Sequence, residues 1–315
     1  MLFTVSAAKG SPPAFRPRSS AVINATLCMT NASAECCRKP GEMTRYNDTK
    51  DVSAFYDFAS QYFRTLWGEH FHHGYWIRGD ETRETAQNQL VDRLATFAAI
   101  KPGAKILDVG CGMGASSVYL AKNYEAVPTG ITISPIQVQM ANELAEREKV
   151  KAKFLLMDAQ DITLDEPFDV VWSIESISHY QRKDGFFSSA APLLKSGGTI
   201  AITDWFKKEN LDRATNDKFI RPIEKGMLSE LATMQDYEKW IEANGLKVTH
   251  AEVMNENCAK SWDTGIEVLK DKELWRVAMQ QGVRFVRFLS AIRAMRDGFS
   301  SGNFVYGLIV AKKSA

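Results

Sequence analysis

Hydrophobic positions set the reading of this chain from Asp51 onward, and their period changes along it. DVSAFYDFASQYFRTLW places Phe55, Phe58, Tyr62 and Leu66 at helical spacing. Leu90, Val91, Leu94, Phe97 and Ala98 make one apolar stripe, which predicts a helix over about 81–99 that ends at Lys101-Pro102-Gly103. Short apolar runs then alternate with helical patterns. AKILDV (104–109), AVPTGIT (126–132), AKFLLM (152–157), FDVVWSI (168–174) and GGTIAITDW (197–205) read as strands. Helices are expected from GASSVYLAKNY, from Ser134-Pro135 to about Arg147, and over about 183–194. Ser134 supplies an N-cap oxygen and Pro135 a first-turn φ. Such alternation implies a parallel sheet with helices on both faces and right-handed crossovers.

The pattern shifts after Trp205. Residues 207–233 are charged and helical-looking, without a strand. Met234, Tyr237, Trp240 and Ile241 mark an amphipathic helix ended by Asn244-Gly245, and LKVTHAEV (246–253) alternates as a strand. A helical segment over about 264–298 carries Phe285, Phe288, Leu289, Ile292 and Met295 on one face, and NFVYGLIVAK (303–312) closes the chain as a strand. The expected organisation is a domain over 51–315 with a helical N-terminal cap and lid insertions at about 207–233 and 258–300.

Residues 1–50 are expected to be a disordered tail or a targeting segment. The first 34 residues hold no Asp or Glu, carry Lys9, Arg16 and Arg18, and break any helix at Pro12-Pro13. That composition is similar to an organelle transit peptide, while a plain tail is weighed above it. MLFTVSAAKG has no long apolar core for a secretory signal, so the sequons at Asn24, Asn31 and Asn47 carry little weight. A cytoplasmic location is expected, with organelle import as the alternative.

Charge and cysteines narrow the partners. With 39 Lys and Arg against 38 Asp and Glu, the net charge is +1, so no basic field draws nucleic acid or anionic membrane. No run approaches the ~18 apolar residues of a transmembrane helix. Cys28, Cys36, Cys37, Cys111 and Cys258 are odd in number and contain no C-x-x-C, which suggests a reducing compartment. The expected partner is a small molecule, and the chain a monomer or homodimer.

Two stretches carry chemistry. ILDVGCGMGA joins the first strand to the next helix, and Gly110, Gly112 and Gly114 let backbone approach a ligand and turn sharply. The same letters fit a dinucleotide fingerprint. That fingerprint wants an acid after the second strand, where this chain has Gly130-Ile131-Thr132. The second stretch, WGEHFHHGYW (67–76), can be a metal site, a catalytic group or a pocket wall. His70, His72 and His73 lack the i, i+4 spacing of a helical ligand pair, so no metal is expected.

Residues 106–114 closely match the VLDVGCGxG motif of class I S-adenosylmethionine-dependent methyltransferases, and the chain from about Asp51 to Lys312 resembles that family. The resemblance implies an α/β, Rossmann-like, doubly wound seven-stranded sheet, parallel except for one antiparallel C-terminal strand, with S-adenosyl-L-methionine as cofactor. It puts Asp108, Gly110, Cys111, Gly112 and Gly114 against the cofactor's amino-acid portion. GITISPIQ (130–137) is similar to the GxTxSxxQ of tocopherol, sterol and cyclopropane-forming members, which implies that Thr132, Ile133 and Gln137 line the adenosine. MDAQDI (157–162) resembles the adenine-contacting motif and implies Asp158 and Ala159. WSIESISHY (172–180) resembles the fourth-strand motif of tocopherol and sterol methyltransferases, with Ser173 on the cofactor side. The aromatic stretch resembles W-G-x-H-x-H-H-G-Y/F of tocopherol-like members. It implies a pocket wall in which Tyr62, Trp67, His70, His73, Tyr75 and Trp76 meet the acceptor.

The reaction needs an acceptor aligned with the C–S bond and water excluded. His179 is the first choice for a base and Glu175 the second polar group, facing the cofactor or a positive centre; His179 can equally be a structural hydrogen bonder. Met227, Met234, Trp262, Trp275, Phe285 and Phe288 suggest an apolar acceptor, or plain core. The competing readings are cyclopropane synthase-like lipid chemistry, a cofactor-binding scaffold that steers a cyclisation, and a nicotinamide oxidoreductase.

Overall fold

The computed structural model describes residues 48–314 apart from 264–269, 271, 273–274 and 276–282; the side chains of 62, 63, 65–67 and 283–285 also lie outside the description. The expectations for the side chains of Tyr62, Trp67 and Phe285 therefore fall outside the described residues, as do Cys28, Cys36 and Cys37.

Seven strands form one sheet: β1 (Lys105–Val109), β2 (Val127–Thr132), β3 (Lys153–Leu156), β4 (Phe168–Ile174), β5 (Leu194–Lys207), β6 (Leu246–Val253) and β7 (Phe304–Lys313). Their order is β3-β2-β1-β4-β5-β7-β6. Neighbours from β3 to β5 run parallel, and β7 is antiparallel to both β5 and β6. The apolar runs of β1 and β4 are buried on both faces, as a helix-covered parallel sheet requires. One core joins Leu90, Leu94, Ile106, Trp172 and Tyr306, and the other joins Val171, Phe186, Phe187, Ile202 and Tyr237 across the sheet. The strand order reverses beside β1, and the crevice outside the carboxyl ends of β1 and β4 is the topological switch point.

Helices α1 (Thr49–Trp67) and α2 (Arg83–Ala98) precede the sheet, and α3 (Ala115–Asn123), α4 (Pro135–Glu148) and α5 (Lys183–Leu193) cross between its strands. Ser134 caps α4 by accepting from the Gln137 N–H, with Pro135 in the first turn, as the sequence predicts. Strand β5 starts at Leu194, three residues before the Gly197-Gly198 pair expected to open it, because Leu194 already pairs with Phe168. In the first insertion, a short turn at Arg213–Thr215 widens into a π turn at Asn216–Ile220 and continues as α6 (Arg221–Met227). Then come α7 (Met234–Ala243), closed by a Thr233–Asp236 capping box, and α8 (Val283–Ser300), which packs on α6. Among the described residues no helix is long and apolar enough to cross a membrane.

Candidate active site

One cavity lies outside the strand ends, floored by the β1–α3 loop, the ends of β2 and β4, and residues 157–160. Helix α1 and residues 69–73 wall it, and α6, α8 and Trp262 close the far side. Asp108, Gly110, Cys111, Gly112, Thr132, Ile133, Gln137, Asp158, Ala159, Glu175 and His179 all line it, with His70 and His73. Gly114, Ser173, Tyr75 and Trp76 do not. Met227, Trp262 and Phe288 line it too; Met234 instead packs against Gly307, and Trp275 is exposed.

The glycine loop divides its work by position. Gly110 has φ +72°, and its N–H and that of Cys111 both donate to the Ile131 carbonyl, at 2.9 and 3.0 Å, which fastens the loop to β2. Gly112 has φ +54° with no heavy atom within 4 Å of where a Cβ would stand, an open cradle for a ligand chain. Gly114 is a packing glycine: a Cβ would meet Ala141 Cβ at 2.7 Å and the Phe154 ring at 2.9 Å. Its missing side chain thus faces α4 and β3 rather than the cavity. Ser173 sits inside β4 opposite Ile202, with its hydroxyl buried.

Helix α1 ties its polar face to the end of β2 and the start of α4. Thr132 Oγ1 donates to Gln137 Oε1 at 2.7 Å, and Gln137 Nε2 donates to Ser60 Oγ at 3.0 Å. Ser53 Oγ donates to the Ile133 carbonyl and Ser134 Oγ to Asp57. Sequence reasoning missed Ser53, Asp57 and Ser60; their only signal is small and polar residues on one face of an otherwise aromatic helix. The open cradle at Gly112, the Thr132–Gln137 pair and Asp158, whose carboxylate accepts the Gln160 N–H at 2.9 Å, fit a nucleoside carrying an amino-acid chain.

Asp108 is 2% exposed and accepts from Ser117 Oγ at 2.6 Å. Burial raises its carboxyl to about 7, against that hydrogen bond. A carboxyl raised on folding contributes stability below its unfolded value near 4, and that contribution is lost as pH rises through about 7. Asp108→Asn is therefore expected to raise the melting temperature of the ligand-free chain at pH 8 by roughly 5 °C, with the gap closing toward pH 5. Thermal unfolding across that range checks it. The same variant should bind cofactor more weakly.

The histidine-rich stretch is a wall with internal wiring. His72 Nδ1–H donates to the His73 carbonyl at 2.8 Å, and its Nε2 pairs with His70 Nδ1 at 2.9 Å. Burial lowers the basicity of both rings, and His70 Nε2 pairs with Asn88 Oδ1 at 3.1 Å. Gln87 Nε2 donates to the carbonyls of His70 and His72. Tyr75 lies instead under the Arg93 guanidinium at 4.7 Å, and the Trp76 indole donates to the Glu81 carbonyl at 3.3 Å. These two aromatics clamp the end of the stretch outside the cavity. Among the described residues no three His, Cys, Asp or Glu side chains converge as metal ligands.

At the end of β4, Glu175 takes φ +50° and turns its carboxylate inward. Oε1 accepts from the His73 N–H at 2.7 Å, His73 Nδ1 at 3.0 Å and the Tyr306 hydroxyl at 2.8 Å. Burial works to raise this carboxyl, but His73 and His72 more than offset it and leave it below its ordinary value. His179 follows on the short turn at Ile177–His179. Its Nδ1–H donates to the Leu228 carbonyl at 3.0 Å, so Nε2 accepts from the Tyr56 hydroxyl at 2.9 Å. Burial lowers His179 to about 4 and raises Tyr56. Both His179 nitrogens are thus engaged in the ligand-free chain. Tyr56 and Tyr306 were not singled out by the sequence, because an aromatic on an apolar face looks like core.

A glycine loop at the switch point that opens on a largely apolar cavity is the frame of an S-adenosylmethionine-dependent methyltransferase. Residues 43–305 match the Mycolic acid cyclopropane synthetase family, and the chain belongs to that family. It is 31% identical to the 27-O-demethylrifamycin SV methyltransferase of Amycolatopsis mediterranei, over 84% of this chain and 96% of that one. It is 28% identical to the chloroplastic tocopherol O-methyltransferase of Arabidopsis thaliana, over 84% and 82%. A mycolic acid cyclopropane synthase crystallised with SAH and CTAB shares the fold, with a TM-score of 0.76 at 24% identity over 86% and 99%.

Proposed function

We propose that this methyltransferase transfers one methyl group to a small, largely apolar metabolite held between the lid and the His70–His73 wall. The observation that carries the reading is the far half of the cavity, where Trp205, Met227, Trp262, Phe288, Ile292 and Met295 form an apolar chamber. The relatives named for tocopherol and for a rifamycin support an acceptor of this kind. Bound S-adenosylmethionine supplies an electrophilic methyl group and leaves as S-adenosylhomocysteine.

The chain has to align the acceptor and exclude water. Alignment removes entropy cost at the reacting step, where well-oriented groups gain about 7–11 kcal/mol at best. Helix α1 covers the cofactor side, the rings of Phe55, Tyr56 and Phe71 stand along the wall, and Glu175, Ser176, His179 and Tyr180 supply the polar atoms that follow β4. Aromatic faces beside a sulfonium favour it by roughly 0.5–2 kcal/mol. We place the reaction in the cytoplasm; a fluorescent fusion of the full chain would reveal import by the acid-poor first 34 residues.

Incubation of the full chain with trideuteromethyl-labelled S-adenosylmethionine and an extract of its source cells tests the reading. A new apolar product that keeps all three deuterons is expected by mass spectrometry. A product that has lost one deuteron would point to cyclopropane formation. Tight S-adenosylhomocysteine binding with no labelled product would point to a scaffold.

A further inference from the structure

Three cavity-lining side chains each bury a polar atom with no hydrogen-bond partner: Nε2 of His73 and the indole Nε1 of Trp205 and Trp262. They are neighbours. The His73 ring centroid lies 5.0 Å from that of Trp262 and 6.3 Å from that of Trp205. An unpaired buried polar atom costs free energy, and folded proteins rarely leave one. Two indole donors and an imidazole nitrogen that can accept stand together in an apolar wall, and they favour a ligand that brings complementary polar atoms.

His73 differs in kind from the two indoles. Its Nδ1 faces Glu175 Oε1 at 3.0 Å, and Nε2 is the ring nitrogen left without a partner. Tyr306 stacks on the ring at 4.7 Å and Phe299 at 6.1 Å, which hold its plane. A buried carboxylate on one ring nitrogen and a free lone pair on the other is the arrangement by which an imidazole takes a proton during nucleophilic attack. His179 lacks it, because Tyr56 already occupies its Nε2.

We propose that His73, oriented by Glu175, takes the proton of a hydroxyl nucleophile, and that the same acceptor carries a further oxygen which receives hydrogen bonds from the Trp205 and Trp262 indoles. This rests on the methyl-transfer reading above. The hydroxyl oxygen bonds to the methyl carbon as the carbon–sulfur bond breaks, and that electron pair stays on sulfur. The hydroxyl proton passes to His73 Nε2, where the Glu175 carboxylate holds the imidazolium until the proton leaves to water. The product is a methyl ether. The substrate class is an apolar molecule whose hydroxyl lies near a second hydroxyl, ether or carbonyl oxygen. A hydrocarbon chain would leave all three atoms unpaired.

Two measurements on the full chain test this. The first is calorimetric binding to the S-adenosylhomocysteine-loaded protein of 2,3,5-trimethylhydroquinone against 1,2,4-trimethylbenzene, which has the same methyl pattern without oxygens. A preference of about 100-fold or more for the hydroquinone is expected, and His73→Phe should lose most of it. Equal binding of the two rings, or none of either, overturns the oxygen-binding assignment. The second uses the acceptor identified by deuterium labelling. The label should sit on oxygen, and His73→Gln should lower turnover roughly 100-fold or more with S-adenosylhomocysteine affinity unchanged. His73→Ala should regain turnover with added imidazole, which a packing role would not do. Label on carbon, or His73→Gln within about threefold of the parent, overturns the base assignment while leaving methyl transfer standing. Absence of any labelled product sinks the methyl-transfer reading itself.

Discussion

Replacement of Glu175 by alanine is expected to cost about 3–5 kcal/mol of stability, a drop in melting temperature of roughly 10 °C. The reason is local. One oxygen, Oε1, accepts from the His73 backbone, the His73 ring and the Tyr306 hydroxyl, and all three donors are buried. Alanine leaves them unpaired, at about 1–3 kcal/mol each before the site relaxes or admits water. It also frees the His73 ring. Glu175→Gln separates shape from charge. The amide oxygen can still accept, so the stability cost should fall to about 1–2 kcal/mol. Turnover should nonetheless drop about 10²–10⁴-fold, because a neutral amide cannot hold an imidazolium. Thermal unfolding with S-adenosylhomocysteine bound, together with kcat, resolves the two effects. Near-parental kcat in Glu175→Gln would confine the carboxylate to a structural role.

Gly110→Ala is the second large effect. The position has φ +72°, where an L side chain is strained by about 1–2 kcal/mol. An added Cβ would also stand 1.8 Å from Ser176 Oγ and 2.4 Å from Ser176 Cβ. Ser176 cannot simply swing aside, since it is buried and its hydroxyl bonds the Tyr180 hydroxyl at 2.6 Å. The loop must lift instead, which breaks its two hydrogen bonds to the Ile131 carbonyl. Loss of cofactor binding by roughly 100-fold and of stability by about 3 kcal/mol is expected. Gly112→Ala is the control. No protein atom stands near its missing Cβ, so the ligand-free chain should lose only about 1–2 kcal/mol to backbone strain, while cofactor affinity still falls. Calorimetric titration with S-adenosylhomocysteine reads both. Unchanged affinity in Gly112→Ala would mean that the cofactor does not lie against that face of the loop.

Much of the frame was legible beforehand. The strands at 168–174 and 246–253 stand where their apolar patterns put them, and Ser134-Pro135 starts α4. Such features are local, since period, cap and turn chemistry act within a few residues. That the predicted site residues share one cavity was legible for the same reason: Asp108, Gly110, Thr132 and Asp158 stand at or just beyond strand ends and Gln137 in the helix turn that follows one, and a doubly wound sheet brings those ends together. Where prediction and structure part, a partner distant in sequence decides. Gly114 shares its motif with Gly112, yet faces Ala141 and Phe154 rather than the cavity. Tyr75 and Trp76 belong to the same aromatic run as His73, yet turn toward Arg93 and Glu81.

The sequence by itself determined the fold class and the cofactor, because each depends on short-range pattern and on motifs written in consecutive letters. The tertiary structure alone decided which of three similar histidines keeps a free nitrogen. Hydrogen-bond partners set a ring's tautomer, and those of His73 and His179 come from residues 102 and 123 positions away or from a lid carbonyl. No local pattern encodes such pairings. They exist only once the sheet has carried Glu175 and Tyr306 under His73 and α1 has laid Tyr56 on His179.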